Sequence, residues 1–254
     1  MKFKVIILAA GKGTRMHSEI PKALTPIAGK PILQYLYESV RSSTVDHKPV
    51  VVIGPERQKL CEVFDGICDY AVQEEQLGTG HAVMVAREAV GEADAVIVLY
   101  GDHPFVSART LQRLSELHDR AGGVITIMTT TVPSFEGWHS AYWHWGRILR
   151  DVHGHIVGIR EFKDAMESEQ QIREVNPALY CFDTKWLWEN IEQIKNTNAK
   201  GEYYLTDLVE LAVAQGNEIT SMSIAPEEAV GINTQEERDI AEEVLKRRKP
   251  EDEE

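Results

Sequence analysis

Cysteine, long apolar stretches and basic residues are all scarce in this sequence of 254 residues. The three cysteines, Cys61, Cys68 and Cys181, are an odd number without C-x-x-C spacing, which argues against a zinc site and fits a reducing compartment. No apolar run approaches the roughly 20 residues that cross a bilayer. The apolar stretch at residues 1–8 is too short for a signal peptide and is typical of a strand. We therefore expect a cytoplasmic protein that does not bind membranes.

The charge balance is acidic, with 27 basic and 40 acidic side chains and a formal net charge of −13. Four acidic residues form a tail at 251–254, but the excess of acid persists without them. Binding to duplex nucleic acid depends on basic side chains that neutralise phosphates, so nucleic acid is not an expected partner. A small phosphate-bearing ligand can still bind such a protein where the few basic residues are concentrated.

The hydrophobic share of 43% and the charged share of 26% are those of a chain that folds around a core. Short runs rich in valine and isoleucine predict strands buried on both faces at residues 3–9, 50–53, 95–99 and 124–128. Apolar residues at helical spacing predict helices between them at 31–41, 56–65, 80–90 and 108–121. This alternation predicts an α/β, Rossmann-like fold with a mixed, mainly parallel sheet, helices on both faces and a ligand at the carboxyl ends of the strands.

The second half of the chain is less regular. Its pattern predicts longer strands at residues 142–150, 155–162 and 173–182, and helices at 184–194, 205–214 and 235–247. No repeat of fixed period and no linker rich in proline or serine divides the sequence. We predict one domain over residues 1–249, followed by an acidic tail at 250–254.

The most informative segment follows the first predicted strand and reads Leu8-Ala9-Ala10-Gly11-Lys12-Gly13-Thr14-Arg15-Met16, with Pro21-Lys22 after it. Small residues let a backbone approach a ligand closely, and successive N–H groups can hold phosphate oxygens. Three cations, Lys12, Arg15 and Lys22, are concentrated here. The segment is not a Walker A loop, and it lacks the third glycine of a dinucleotide-binding loop. It indicates a triphosphate site, with a plain strand-to-helix connection as the alternative.

Four further motifs follow in order: Gln73-x-x-Gln76-Leu77-Gly78-Thr79-Gly80-His81-Ala82, Leu99-Tyr100-Gly101-Asp102, Gly201-Glu202-Tyr203-Tyr204-Leu205-Thr206-Asp207 and Gly231-Ile232-Asn233. With the glycine loop, they resemble the sugar-1-phosphate nucleotidyltransferase family, and within it the uridylyltransferase domain of the bifunctional N-acetylglucosamine-1-phosphate enzymes. The resemblance covers residues 2–233 in order and at compatible spacing.

The resemblance implies that a sugar 1-phosphate attacks the α-phosphorus of UTP and expels pyrophosphate, with N-acetylglucosamine 1-phosphate as the expected sugar substrate. Such chemistry needs positioning and charge neutralisation more than a covalent nucleophile. Arg15 and Lys22 would neutralise the phosphates. Asp102 and Asn233 would hold a Mg²⁺ ion, a hard cation that takes oxygen ligands and keeps several waters. The alternatives are a turn residue at Asp102 and a helix start at Asn233.

The same resemblance assigns contacts to the base and the sugar. The nucleotide-binding residues would be Leu8, Ala9, Ala10, Gly11, Gly13, Gln73, Gly78 and Thr79. The sugar-binding residues would be Gly101, Gly146, Glu161 and Asn176.

Two positions depart from the family pattern. Pro177 and Ala178 follow Asn176 where a small polar residue and a glycine are usual, and proline restrains the residue before it. His103 follows Asp102 where an apolar residue is common. It is either a neutral residue at the rim of the site or a group that makes activity depend on pH.

Three questions stay open at the level of sequence. The base or the sugar could differ, as in thymidylyl- and guanylyltransferases, or the chain could bind a nucleotide sugar without catalysis. The bifunctional relatives carry a β-helical acetyltransferase domain with a hexapeptide repeat, and none is present here, so acetyl transfer is not expected. Because that domain also forms the trimer of the relatives, the oligomeric state is undetermined.

Overall fold

The computed structural model describes residues 1–11, 20–55 and 58–247. The predictions made for Gly13, Arg15 and the acidic tail lie outside these residues. In chain order the strands are β1 (Phe3–Leu8), β2 (Pro26–Ile27), β3 (Lys30–Pro31), β4 (Val50–Ile53), β5 (Asp69–Val72), β6 (Ala95–Tyr100), β7 (Ile125–Thr131), β8 (Arg147–Arg150), β9 (Ile156–Arg160), β10 (Glu174–Val175), β11 (Tyr180–Asp183) and β12 (Thr220–Ser223).

The helices cover the faces of the sheet and connect its strands. They are α1 (Ile32–Ser42), α2 (Gln58–Val63), α3 (Thr79–Val85), α4 (Arg87–Val90), α5 (Ala108–Ala121), α6 (Glu167–Gln170), α7 (Thr184–Asn190), α8 (Asp207–Ala214), α9 (Pro226–Ala229) and α10 (Gln235–Arg247). Short 3₁₀ helices lie at Lys22–Leu24, Gly137–Tyr142 and Ile191–Gln193.

The main sheet has the strand order β5-β4-β1-β6-β11-β7-β10-β8-β9, and β12 also pairs with β7. The first four strands in this order are parallel, as the βαβ pattern predicts. Strand β11 runs antiparallel to both β6 and β7 and lies between them. The predicted mixed, mainly parallel sheet of an α/β fold is therefore confirmed.

Alternate side chains of the central strands enter two cores, one on each face of the sheet. Val5 and Ile7 of β1 pack in the core that also contains apolar residues of α1, α5 and α10. Ile6 packs in the opposite core with residues of α3, α7 and α8. Burial on both faces explains why these strands are runs of valine and isoleucine rather than alternating sequences.

The structure corrects several predicted boundaries. The strand expected from residue 142 begins at Arg147, because the preceding aromatic segment forms a 3₁₀ helix. The strand expected over 173–182 is divided into β10 and β11 at Pro177, which has no N–H to donate to a neighbouring strand. The helix expected over 80–90 is divided into α3 and α4. Within the described ranges, no helix is both long enough and apolar enough to span a membrane.

Candidate active site

The carboxyl ends of β1 and β6 meet at one edge of the sheet. Leu8 ends β1, and Gly101 and Asp102 directly follow β6. The N–H of Gly101 donates to the carbonyl oxygen of Leu8 at 2.9 Å. A Cβ at Gly101 would lie 3.0 Å from that same oxygen, so a side chain there would force the two strand ends apart. Glycine at this position therefore lets the end of β6, which carries Asp102, approach Leu8 and Ala9 at the end of β1.

A cavity of about 270 Å³ opens at this edge. Ten of the residues predicted from the sequence line it: Leu8, Ala9, Ala10, Gly11, Lys22, Gln73, Gly78, Thr79, Gly101 and Asp102. Gln76, Tyr100 and Glu202 also line it but were not assigned roles in advance. All three lie inside the motifs quoted above, so their position next to assigned residues is the signal that could have found them.

Lys22 connects the two residues predicted to hold a metal. Its ammonium nitrogen lies 2.5 Å from Oδ2 of Asp102 and 2.6 Å from Oδ1 of Asn233, and it donates to both. The three side chains come from the 3₁₀ helix after the glycine loop, the end of β6 and the segment before α10. Asp102 and Asn233 therefore share one cation at one point.

The charge of Lys22 governs the acidity of Asp102. Burial by itself would raise the pKa of Asp102, but the Lys22 ammonium opposes this effect through its charge and its hydrogen bond, with the charge of His103 adding to it. The net effect of these influences lowers the pKa of Asp102 to about 2. The carboxylate is therefore ionised throughout the neutral range and available as a cation ligand.

Asn233 does not serve as the start of α10. Thr234 accepts a hydrogen bond from the N–H of Glu237 at 3.1 Å, and the Glu237 carboxylate accepts from the N–H of Thr234, which together form a capping box. The N–H of Ile232 donates to the carbonyl oxygen of Asp102 at 3.0 Å. This backbone bond places the neighbouring Asn233 beside Asp102 and leaves its side chain for Lys22.

Two glutamines in the wall of the first cavity, Gln73 and Gln76, are held by the protein backbone. Nε2 of Gln73 donates to the carbonyl oxygen of Gly78 at 3.0 Å and lies 3.1 Å from Nδ1 of His81. Nε2 of Gln76 donates to the carbonyl oxygen of Ala10. The amide nitrogen of each glutamine therefore forms its hydrogen bonds within the protein.

Gly78 has a structural role in addition to its place on the cavity wall. Its φ of 115° is one that side chains disfavour, and a Cβ there would lie 2.6 Å from the carbonyl oxygen of Tyr203. The glycine thus lets the loop at Gly78 pack directly on the backbone of the segment at 202–203.

A second cavity, of about 530 Å³, is lined by the predicted Glu161 and Asn233. Its other lining residues include Trp145, Phe162, Lys200 and Tyr204, none of which was assigned in advance. Thr206 donates its hydroxyl to Oε1 of Glu161 at 3.2 Å. Burial raises the pKa of Glu161, and the charge of Lys200 and the bond from Thr206 oppose that rise.

Gly146 lies beside Glu161, since a Cβ at Gly146 would be 3.6 Å from Oε1 of that carboxylate and 3.1 Å from the side chain of Ile159. Asn233 lines this cavity while Lys22 and Asp102 line the first. The hydrogen bond between Lys22 and Asn233 therefore links the walls of the two cavities.

Asn176 is buried, and its side chain is bonded within the protein. Its Nδ2 donates to the hydroxyl of Tyr180 at 2.5 Å, and its Oδ1 accepts from the N–H of Ala178 at 3.0 Å, across Pro177. Ala178 has a φ of 56°, the left-handed conformation in which glycine is favoured. The backbone thus keeps a glycine-like shape at this position although the residue is alanine. A contact between Asn176 and a sugar stays a prediction.

His103 is an interior residue rather than a residue at the rim. Its ring packs edge-on against Trp145, and its Nδ1 lies 3.5 Å from Oδ1 of Asp102. Burial lowers the pKa of His103, although the charge of Asp102 opposes this effect. A Cβ at Gly231 would lie 2.5 Å from Nε2 of His103, so the glycine makes room for the ring.

The donor set at Asp102 and Asn233 fits a hard divalent cation. The two oxygens already converge on a cation, the Lys22 ammonium, and Oδ1 of Asp102 is buried without a hydrogen bond. A carboxylate and an amide oxygen are the ligand types that Mg²⁺ takes, and its remaining ligands can be water. In residues 1–11, 20–55 and 58–247, no group of three His, Cys, Asp or Glu side chains clusters as metal ligands.

A family model described as a MobA-like NTP transferase domain matches residues 5–203. The chain is 41% identical over 236 residues to the bifunctional protein GlmU of Geobacillus thermodenitrificans, covering 92% of this chain and 50% of the relative. The GlmU proteins of Streptococcus thermophilus and Desulfotalea psychrophila are 39% and 36% identical, with 98% and 96% of this chain covered and 53% and 71% of each relative. The chain spans about half the length of most of the curated relatives it matches.

Among solved structures, a Bacillus anthracis protein with the provisional name glucose-1-phosphate thymidylyltransferase, in complex with sucrose, superposes with a TM-score of 0.77. The alignment covers 97% of this chain and 96% of that chain at 18% sequence identity. At this identity the likeness shows that the two proteins share a fold.

Proposed function

The chain belongs to the MobA-like NTP transferase family, and we propose that within it this protein transfers a uridylyl group from UTP to a sugar 1-phosphate. N-acetylglucosamine 1-phosphate is the proposed acceptor, and the products are UDP-N-acetylglucosamine and pyrophosphate. The observation that carries this proposal is the position of Lys22, which bonds Asp102 in the wall of the first cavity and Asn233 in the wall of the second.

The proposed reaction is a direct displacement at phosphorus. An oxygen of the sugar phosphate forms a bond to the α-phosphorus of UTP, and the bond from that phosphorus to the bridging oxygen of pyrophosphate breaks. No side chain needs to form a covalent intermediate, because positioning and charge neutralisation supply the catalysis. In this scheme the Lys22 ammonium, which bonds one residue in the wall of each cavity, holds the reacting phosphates together and offsets their repulsion.

The remaining residues bind and orient the two substrates. The loop after β1 and the segment from Gln73 to Thr79 would hold the nucleotide in the first cavity. In the second cavity, the Glu161 carboxylate accepts hydrogen bonds from sugar hydroxyls, and Trp145 and Phe162 supply apolar walls that exclude water. Asp102 and Asn233 would hold Mg²⁺, which when bound neutralises phosphate charge at the reacting centre.

The choice of uridine and N-acetylglucosamine rests on the motifs, which resemble uridylyltransferase domains, and on the GlmU relatives. Because the chain spans about half the length of most of those relatives, only this first activity is proposed. A thymidylyltransferase is the second candidate, favoured by the name of the structural neighbour. Uracil and thymine present the same hydrogen-bonding edge, so the two candidates differ in how the site treats the thymine methyl group and the ribose 2′-hydroxyl.

The test is a substrate matrix. The purified protein is incubated with Mg²⁺, each of UTP, dTTP, CTP, ATP and GTP, and each of several sugar 1-phosphates, and pyrophosphate release is measured with mass identification of the nucleotide sugar. We expect the highest kcat/KM for UTP with N-acetylglucosamine 1-phosphate, and loss of turnover when EDTA removes Mg²⁺. Higher kcat/KM for dTTP would favour the second candidate, and no release with any pair would contradict both.

A further inference from the structure

The amide group of Gln73 is fixed by two acceptors of the protein. Its Nε2 donates to the carbonyl oxygen of Gly78 at 3.0 Å and lies 3.1 Å from Nδ1 of His81. A backbone carbonyl can only accept, so the nitrogen of the amide must be on this side. The two hydrogens of Nε2 match the two acceptors when the proton of His81 is on Nε2 of its ring.

This arrangement leaves a single polar atom of the amide for a ligand. Oε1 of Gln73 accepts no hydrogen bond from the residues the structure describes, while Gln73 itself forms part of the wall of the first cavity. The backbone of Gln73 is also fixed, because its N–H donates to the carbonyl oxygen of Ile53 at 2.8 Å. At this position the wall of the cavity therefore presents a hydrogen-bond acceptor. The other orientation of the amide would present a donor.

From this geometry we propose that His81 is a positioning residue that selects the base through Gln73. The inference rests on the proposed function, in which Gln73 faces a pyrimidine. Uracil carries an N–H donor at position 3, whereas cytosine carries a lone pair there. A fixed Oε1 accepts a hydrogen bond from the uracil N–H and repels the lone pair of cytosine. His81 would therefore make the site prefer UTP over CTP without contacting either nucleotide.

His81 is well placed for such a role. It lies in the first turn of α3, which begins at Thr79, and Gly78 directly precedes that helix. The helix thus supplies one of the two acceptors and its preceding residue supplies the other. With Gly78 as its one acceptor, the amide would lose a single hydrogen bond on rotating its nitrogen toward the ligand, so that orientation would be populated more often. The second acceptor removes that freedom.

The test compares UTP with CTP in variants of His81. His81→Ala removes the second acceptor, so we expect the ratio of kcat/KM for UTP to that for CTP to fall about tenfold, the value of one hydrogen bond in binding. In His81→Asn, the side-chain Oδ1 can accept where Nδ1 did, and we expect most of the preference to return. Val85→Ala, in the same helix, should keep the wild-type ratio.

The outcomes separate the inference from the proposed function. Equal loss of rate with UTP and CTP in His81→Ala would show that His81 only supports the fold, and the inference would be wrong. If the wild type turns over neither nucleotide, the proposed function fails, and calorimetric binding of UDP and CDP replaces the rate. A wild-type preference for UDP that is lost in His81→Ala and kept in His81→Asn would still support the inference, whereas equal binding of both nucleotides would overturn it.

Discussion

The ammonium group of Lys22 bonds oxygens of two residues that lie 80 and 211 positions away along the chain. The side chains of Lys22 and Asp102 are only 14% and 17% exposed, so water screens their charges less than it would at the surface. Removing one charge from such a pair leaves the other without compensation. Loss of the Asp102 carboxylate would therefore leave the Lys22 charge uncompensated, in addition to removing a ligand for a cation.

We expect Asp102→Asn to lower kcat on the order of 10²–10³-fold, because a charge at the reacting centre is replaced by a neutral amide of the same shape. Pyrophosphate release measures the rate, and the concentration of Mg²⁺ that gives half-maximal rate should rise. Asp94→Asn is the matched control, since Asp94 precedes the other end of β6 and its carboxylate accepts from the N–H of Lys2 at 2.6 Å. A near-normal rate in Asp102→Asn with a folded protein would show that the metal is held elsewhere.

Much of this site is contained in short sequence segments. Asp102 could be assigned because a carboxylate directly after a buried strand is delivered to the ligand edge of the sheet. The bonds from Lys22 to Asp102 and Asn233 could not, because they require three distant segments to meet. The fixed amide of Gln73 could not be predicted either, since its orientation depends on the distance from His81 after α3 has formed.

Between elements, buried side chains connect β6, β11 and the segment before β11 beside the first cavity. The ring of Tyr100 in β6 lies beside the ring of Tyr180 in β11, with 6.4 Å between their centroids. Asn176 donates to the Tyr180 hydroxyl at 2.5 Å. Burial raises the pKa of Tyr100 and of Tyr180, so both hydroxyls keep their protons. The Tyr180 hydroxyl is thus a neutral, buried partner that holds the amide of Asn176.

We expect Tyr180→Phe to raise the KM for the sugar 1-phosphate about fivefold and to lower stability by about 1 kcal/mol, because Asn176 loses a buried partner. The KM for UTP should change less than twofold, since Thr79 still accepts from the N–H of Leu205 at 3.1 Å. Steady-state kinetics with each substrate varied in turn measures both. Tyr70→Phe removes a hydroxyl bonded to Phe64 and should change neither KM. Equal rises in both KM values would show that Tyr180 supports the whole site.

The elements differ in how well their sequences predict them. Strands β1, β4 and β6 and helix α5 follow from apolar periodicity, because burial on two faces or on one leaves a clear pattern. Strand β12 has the sequence Thr-Ser-Met-Ser and was not predicted, since it is only partly buried and lacks an apolar run. Strand β5, Asp-Tyr-Ala-Val, was missed for a related reason, as it begins with polar or amphipathic residues. Sequence pattern thus identifies the centre of this sheet better than its margins.

For the molecule as a whole, a buried histidine links stability to pH. His118 of α5 is fully buried, and its Nδ1 lies 2.9 Å from Oγ1 of Thr126 in β7. Its Nε2 is buried without a hydrogen bond. Burial lowers the pKa of His118 below its ordinary value of 6.5, although the charges of Asp183 and Asp119 oppose this effect. As the pH is lowered through 6.5, the unfolded chain therefore takes up a proton at this residue before the folded protein does. The stability of the folded protein falls as the pH is lowered.

We expect His118→Asn to be less stable than the wild type by about 1–3 kcal/mol at pH 7.5, because packing is lost. The difference in stability between the wild type and the variant should be smaller at pH 5.5, because the variant has no group to protonate at this position and the wild type does. Urea denaturation at the two pH values measures both quantities. His153→Asn changes an exposed histidine in the β8–β9 connection and should follow the wild-type pH dependence. A difference between His118→Asn and the wild type that is the same at both pH values would contradict the assignment.

The position of β11 between β6 and β7 has a consequence for how the chain folds during its synthesis. Strands β6 and β7 are made first, yet neither pairs with the other in the finished sheet. The edge of each strand that faces β11 stays unpaired until β11, the last of the three to be synthesised, emerges from the ribosome. The parallel strands made earlier can assemble as they emerge, whereas the half of the sheet that contains β11 can only close afterwards.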